Sequence, residues 1–381
     1  MSQGKTVRLG VVGLGNIAGQ HIANVQGGQV PGCELTAVCS RSGGDRFGVS
    51  HFTAVEELVA SGLCDAVLVA TPTWHHLAAG RAVLDAGLHL VMEKPLGLSV
   101  AEGEELLARQ REGQVFALML NQRTDPLFVA MRDVIGGGTL GEITRTHWTM
   151  TNWFRPEVYF RVSDWRATWL GEGGGLLVNQ CIHNLDIFQW LCGMPRSVRA
   201  FCRFGRYHDI EVEDEATAYF EYEGGASGVF VGSTGEAPGI NRFDVIGDRG
   251  ALSFDGERLT LVRNEPATSV FNRDTRDMFG MPATSREDIT PGRSGNQHAA
   301  VLENFCRAVS RGEALIAPAA EGLNSLALAN AMLLSTWEEA TVALPLDSAR
   351  YQRALNERTA ASALREKADI EVDVDMDASY R

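Results

Sequence analysis

The sequence predicts a two-part α/β protein: a mostly parallel, doubly wound sheet followed by a larger, predominantly antiparallel open sheet. Three observations carry this. Short apolar runs alternate with helix-period segments over the first 120 residues. A Gly-x-Gly-x-x-Ala turn joins the first apolar run to the first helical segment. Beyond residue 196, strand-type runs follow one another without helices between them.

Taken in order, Val7–Val12 reads as a strand and Ala18–Val25 as a helix. Leu35–Cys39 is a second strand, ending in the polar turn Ser40-Arg41-Ser42-Gly43-Gly44-Asp45. Val55–Ala60 is a short helix. Ala66–Ala70 is a strand, Leu77–Ala86 a helix and Leu88–Met92 a strand, with Val100–Gln110 and Val115–Leu120 completing the alternation. Pro126–Ile135 is helical and stops at Gly136-Gly137-Gly138. Arg145–Thr151 reads as a strand and Leu176–Leu191 as a helix. Ser197–Cys202, Glu215–Glu221, Ser227–Ser233, Asn241–Ile246, Ala251–Phe254 and Leu259–Val262 then read as strands of one sheet. Residues 264–296, polar and rich in Gly and Pro, read as a long loop or a partly mobile flap. His298–Val309 and Glu321–Ala340 return to helical periodicity, and Val342–Leu346 crosses back to a sheet. Acidic and apolar residues alternate in 369–377 (DIEVDVDMD), which suits a solvated edge strand or a disordered tail. The resulting division is 1–122 for nucleotide binding, 123–347 for substrate binding and oligomerisation, and 348–381 as a C-terminal extension.

Composition narrows the function. A net charge of −14 argues against nucleic acid and against an acidic membrane surface, but leaves room for a local basic site that takes an anionic ligand. No run of 18 apolar residues predicts a membrane span, and the first residues lack a signal-peptide core. Seven cysteines without CxxC spacing read as free thiols in a reducing compartment, hence a cytoplasmic protein. His75 and His76 are adjacent, yet no accompanying ligand set suggests a metal.

The first turn carries the clearest chemistry. Gly13 permits a tight strand-to-helix bend. Gly15 lets backbone approach a pyrophosphate, which Asn16 and Ile17 at the helix start would also face, and Ala18 allows close packing on the sheet. No acidic residue stands at the immediate end of the second strand to take ribose hydroxyls, and Asp45 lies near enough to keep that role open. Ser40 and Arg41 stand there instead and suit a 2′-phosphate, which favours NADP over NAD while leaving dual use open. Thr71, Pro72 and His76 follow the third strand on the side where such sheets bind ligand. Glu93-Lys94-Pro95 closes the fourth, and Asn121 follows the fifth.

These motifs resemble, as an ordered set, the Gfo/Idh/MocA oxidoreductases, relatives of glucose–fructose oxidoreductase and inositol dehydrogenase. The set comprises VVGLGNIAG at 11–19, ATPTWHH at 70–76, EKP at 93–95, GEI at 141–143, GGGLLVNQCIHNLDIFQWLCG at 173–193 and VALPLD at 342–347. The resemblance implies a Rossmann domain, a second α/β domain on an open sheet, dimers or tetramers packed through that sheet, and nicotinamide-dependent chemistry on a carbohydrate or cyclitol. It implies that Lys94 binds or polarises the reacting oxygen, that Glu93 positions cofactor or substrate, and that Pro95 is commonly cis.

His183 matches the family histidine beside the reacting hydroxyl, and its ordinary pKa suits proton transfer. Asn179, His183, Asp186 and Trp190 share the spacing of one helical face. Many family members carry Asp where this chain has Asn179. An amide neither acts as a base nor supplies charge, so Asn179 is left with substrate binding or orientation of His183. Trp153, Arg155, Tyr159, Trp165 and Arg166 form the expected specificity region, since aromatic faces stack on sugars and arginines fork onto hydroxyls or carboxylates. Arg123 is a further candidate for substrate or phosphate. The expected reaction is hydride transfer between a nicotinamide and a secondary hydroxyl or ketone of a sugar, glycoside or cyclitol. Two alternatives stand beside it: a redox-neutral glycoside-modifying or glycoside-cleaving enzyme that retains NAD, and a noncatalytic cofactor or sugar sensor.

Overall fold

The computed structural model describes residues 5–41, 47–292, 295–368 and 370. The elements in chain order are β1 (Val7–Val12), α1 (Asn16–Gln26), β2 (Cys33–Cys39), β3 (Ser50–Phe52), α2 (Val55–Ala60), β4 (Ala66–Val69), α3 (His76–Asp85), β5 (His89–Met92), α4 (Val100–Arg109) and β6 (Phe116–Leu118). They continue with α5 (Pro126–Gly136), β7 (Ile143–Met150), α6 (Glu157–Arg161), α7 (Trp169–Glu172), α8 (Ile182–Cys192), β8 (Ser197–Phe204), β9 (Glu213–Glu221), β10 (Ser227–Ser233), β11 (Asn241–Gly247), β12 (Gly250–Phe254) and β13 (Leu259–Glu265). Last come α9 (Thr268–Asp274), β14 (Ala283–Asp288), α10 (Gln297–Arg311), α11 (Gly322–Trp337), β15 (Val342–Ala343) and α12 (Ser348–Ala361).

The chain forms two compact units. The first comprises residues 1–125, 170–173 and 294–327; the second comprises 126–169, 174–293 and 328–381. The first unit therefore contains α10, which a single cut after residue 122 places in the other domain. Packing gives the reason. Val301, Leu302 and Phe305 of α10 join Ile22 and Val25 of α1 and Leu9, Val11 and Leu68 of the sheet in one buried apolar cluster. The helix is well bounded for that job: the Asn296 side chain accepts from the Ala299 amide at its start, and left-handed Gly312 ends it.

The sheet of the first unit is parallel, in the order β3-β2-β1-β4-β5-β6. Its central strands β1 and β4 are buried nearly throughout, as parallel strands covered on both faces must be. The second unit holds a sheet in the order β14-β13-β12-β11-β7-β10-β9-β8-β15. Its pairs are antiparallel except β7 with β10. On its inner face Trp148 stacks on Phe243, with ring centroids 4.5 Å apart, and donates its indole N–H to Asn241 at 3.0 Å. Phe188 of α8 packs on Phe220, Phe230 and Phe243.

Two expectations change, and the extension gains an element. Helix α8 begins at Ile182, not Leu176, because the Gly175 and Leu177 amides are held by a carboxylate instead of by helical carbonyls. Residues 264–296 contain α9 and β14, the latter paired along β13. The extension carries α12, seated by buried Tyr351 and Leu355, with Tyr351 stacked on Trp337. Asp45 and the alternating tail at 369–377 lie outside the described residues, apart from Ile370. Among the described residues no helix is long and apolar enough to cross a membrane, and no group of three His, Cys, Asp or Glu side chains is placed to hold a metal.

Candidate active site

In the first unit, strand register brings the motifs to one edge. Val12 pairs with Val69, and Val69 with Met92. The residues that follow them, Gly13, Ala70-Thr71 and Glu93-Lys94, therefore leave the sheet side by side. Backbone bonds from Gly13 to Cys39 (2.9 Å), from Ala70 to Val12 (2.8 Å) and from Glu93 to Val69 (2.9 Å) fix that edge.

Gly13 has φ +91°, and a Cβ there would lie 2.6 Å from the Ala70 carbonyl oxygen, so both the backbone conformation and the close approach require glycine. Gly15 caps α1 with no side chain satisfying the first-turn amides, and a Cβ there would meet nothing within 4 Å. Space and open amides at a helix start suit a pyrophosphate, which the Asn16 and Ile17 end of α1 would face. Two further atoms on this edge suit a polar ligand. The Thr71 hydroxyl and the Asn121 side-chain oxygen Oδ1 are buried and have no hydrogen-bond partner among the described residues, while the Asn121 side-chain NH2 donates to Gln297 at 3.0 Å. A buried polar atom without a partner is costly, so a bound group that supplies one is favoured. These features fit a nicotinamide dinucleotide.

At the end of β2, Ser40 Oγ lies 3.1 Å from His51 Nε2. Arg41 is exposed, and after burial its charge is the second influence lowering the His75 pKa. Pro72 opens the turn that carries Trp74 and His75. His76 is fully buried, with its ring nitrogens 2.8 Å from the Pro95 carbonyl and 3.0 Å from the Thr71 carbonyl. It fastens the loop after β4 to the loop after β5 and is closed off by those contacts.

Lys94 is half-buried and the Lys94–Pro95 bond is cis. Glu93 beneath it is buried. Its carboxylate sits 2.7 Å from His21 Nε2 and accepts the Lys94 amide at 3.3 Å. Burial alone would raise its pKa. The His21 hydrogen bond, with His298 and Lys94 nearby, outweighs burial and holds it at about 2. The His298 ring meets that of His21 edge-on at 5.4 Å, and burial is the main cause lowering its pKa to about 4. The sequence reading missed His21 and His298. His21 falls on the apolar stripe of Ala18, Ile22 and Val25, where a histidine is itself a signal. Arg123 is turned inward: it pairs with Glu321 and donates to the Ile316 carbonyl at 3.3 Å, with no exposed side-chain surface. Its contacts are those of a structural ion pair, not of a group open to substrate.

In the second unit, Asn179 precedes α8 and His183 stands in that helix's first turn. The loop bearing Asn179 is anchored by Glu213, which is fully buried and accepts the amides of Gly175 (2.9 Å) and Leu177 (2.9 Å). The Asn179 side chain reaches the Tyr159 hydroxyl at 3.5 Å, and Gln180 reaches the same oxygen at 3.3 Å. Asp186 accepts from Gln189 at 3.0 Å, and Trp190 lies under the Arg132 guanidinium at 3.9 Å. These last two have partners on α8 and α5, so spacing on a helix face does not make the four residues one group. Trp153, Arg155, Tyr159, Trp165 and Arg166 do come together, with each arginine within 5.5 Å of two of the aromatic rings.

Comparison with known families decides the assignment. Residues 7–121 match the description "Oxidoreductase family, NAD-binding Rossmann fold", and residues 128–253 match the "GFO/IDH/MocA C-terminal domain". The chain belongs to the GFO/IDH/MocA family. As a member of that family it is an NAD(P)-binding oxidoreductase. It is similar to scyllo-inositol 2-dehydrogenase (NADP(+)) IolW of Bacillus subtilis, with 27% identity over 76% of this chain and 82% of that protein. It is also similar to myo-inositol 2-dehydrogenase of Thermotoga maritima, with 26% identity over 67% of this chain and 77% of that protein. Among solved structures, the WlbA dehydrogenase of Bordetella pertussis in complex with NADH and UDP-GlcNAcA matches at TM-score 0.75 and 24% identity, covering 90% of this chain and all of that one. Levoglucosan dehydrogenase in complex with NADH matches at TM-score 0.74 and 18% identity, over 89% and 99% of the two chains. These structural likenesses establish the fold.

Proposed function

We propose that this GFO/IDH/MocA protein interconverts a secondary hydroxyl and a ketone on a sugar, glycoside or cyclitol, using NADP in preference to NAD. The observation that carries this reading is the common edge of the parallel sheet. There the Gly13–Gly15 cradle and the Lys94 ammonium follow strands in register. When bound, the nicotinamide supplies the hydride acceptor. The chain supplies the rest. Lys94 steadies the substrate oxygen as negative charge develops on it. His183 takes the hydroxyl proton. Asn179 holds the substrate by hydrogen bonds, since its amide carries no charge to stabilise an imidazolium. Arg41 and Ser40 support the NADP preference, as a guanidinium and a hydroxyl suit a 2′-phosphate. The names of the two inositol dehydrogenases support the substrate class.

The test is nicotinamide reduction by purified protein, with NAD and NADP separately, across aldoses, glycosides and cyclitols. Reduction that is lost in both Lys94→Met and His183→Ala is the expected result. Absence of reduction with any substrate, together with a cofactor that does not exchange, would transfer the assignment to a redox-neutral enzyme retaining NAD.

A further inference from the structure

The second unit contains a rigid cluster of hydrogen-bond donors. Arg155 is held from both sides of its backbone: its amide donates to Thr234 at 2.9 Å, and its carbonyl lies 2.8 Å from His208 Nε2. His208 is buried and its other ring nitrogen lies 3.2 Å from Asp214, whose carboxylate also accepts the amides of residues 206, 207 and 208. The Arg155 guanidinium donates to the Phe154 carbonyl at 2.9 Å and bonds the Tyr159 hydroxyl.

Arg166 approaches from the next turn, with its guanidinium carbon 4.5 Å from the Tyr159 ring centroid and 5.3 Å from that of Trp165. Its Nε is buried and meets no acceptor among the described residues. The turn is fixed by Thr168 Oγ1 donating to the Trp165 carbonyl (2.8 Å) and by the Trp169 amide donating to Glu211 (2.7 Å). Ala167 between them holds φ +57°, a conformation that non-glycine residues rarely adopt. The two arginines feel each other. Burial lowers the Arg155 pKa, the Tyr159 hydroxyl opposes that, and the Arg166 charge adds to the lowering.

Like charges are thus gathered where their own repulsion opposes it. The Tyr159 oxygen accepts from the side-chain amides of Asn179 and Gln180 and meets the Arg155 guanidinium, so what it has left to offer a ligand is its own O–H as a donor. Among the described residues, the side chains that act on the Arg155 charge are Tyr159 and Arg166, with no carboxylate among them, so an acceptor with negative charge complements the cluster. Taking the carbohydrate oxidoreductase reading as given, we propose that Arg166, Arg155 and Tyr159 form an anion subsite, so that the substrate is a sugar bearing a carboxylate or phosphate group. A guanidinium binds either group through paired N–H donors.

The experiment compares glucose, glucuronate and phosphorylated glucose by tryptophan fluorescence titration of the full chain with cofactor present, and separately by nicotinamide reduction. Tighter binding of an anionic sugar by at least about tenfold, reduced to near parity in Arg166→Met and kept in part by Arg166→Lys, is expected, with cofactor titration confirming that both variants fold. Preference for glucuronate identifies a sugar acid, and preference for the phosphorylated sugar a sugar phosphate. Equal or tighter binding of glucose, or an equal loss for all three sugars in Arg166→Met, would overturn the subsite. Binding and reduction separate the two readings. Anionic preference in binding without reduction keeps the subsite and rejects the reaction, whereas reduction of neutral sugars alone does the opposite.

Discussion

At the residue scale, the buried group around Glu93 links the loop that bears Lys94 to pH. His298 has its pKa depressed to about 4 in the folded chain, against an ordinary value of 6.5. Below 6.5 the unfolded chain takes up a proton that the folded chain refuses, so the contribution of His298 to stability is complete above 6.5 and lost as pH falls toward 4. Glu93, held at about 2, adds a further loss below its unfolded value of 4.5. The melting temperature should therefore fall between pH 6.5 and 4, and His298→Asn should flatten that interval by up to about 1.4 kcal/mol per pH unit. Thermal melts across the interval check this; an unchanged slope in the variant would reject it. Arg41 supports a second prediction at this scale. Arg41→Ala should raise KM for NADP about tenfold or more and leave KM for NAD nearly unchanged, as loss of one charge-assisted contact implies. Equal effects on both cofactors would remove Arg41 from the 2′-phosphate site.

At the scale of elements, the loop before α8 depends on one close approach. A Cβ on Gly175 would lie 2.4 Å from the Glu213 carbonyl oxygen and 2.7 Å from the Val212 side chain. Gly175→Ala should cost about 1–3 kcal/mol by overpacking and displace Asn179, lowering kcat more than cofactor affinity. Calorimetry and steady-state kinetics measure both.

The same loop marks what the sequence can tell. β1, α2 and β10 are legible to the residue because apolar runs and turn residues bound them locally. α9 has no buried residue and β14 is exposed throughout, so neither leaves an apolar pattern to read. The start of α8 is set by Glu213, 38 residues from the Gly175 amide that it accepts. Among the candidate site residues, Lys94, His183 and the Gly13 turn each stand in a local motif. The His21–Glu93 contact spans 72 residues, and the inward turn of Arg123 depends on Glu321, 198 residues away. Such partners become visible only when the chain is folded.

At the scale of the whole molecule, a group of apolar and aromatic side chains stands on the outer face of the nine-stranded sheet, among polar neighbours such as Arg199, Glu215 and Thr217. Phe201 is 58% exposed on β8 and Tyr219 47% exposed on β9, and half-buried Val229 and Val231 follow on β10. The register places Thr217 opposite both Phe201 and Val231, which makes these neighbours on one surface. Side chains of this kind fit self-association through the sheet. Sedimentation should find a dimer or tetramer at micromolar concentration, and Phe201→Lys with Tyr219→Lys should shift it toward monomer without changing the melting pattern of the Trp148 core. A monomeric parent chain would reject this assembly.

The seat of α10 on the parallel sheet has a consequence for how the protein is made. Phe305 and Leu302 belong to the same apolar cluster as Leu9 and Ile22, nearly three hundred residues earlier in the chain. A ribosome that has released only residues 1–122 has released a nucleotide-binding half whose core still lacks one wall. That half must wait, with apolar surface bare, while the whole second sheet is synthesised, and a chaperone holding the nascent chain has its greatest opportunity in that interval.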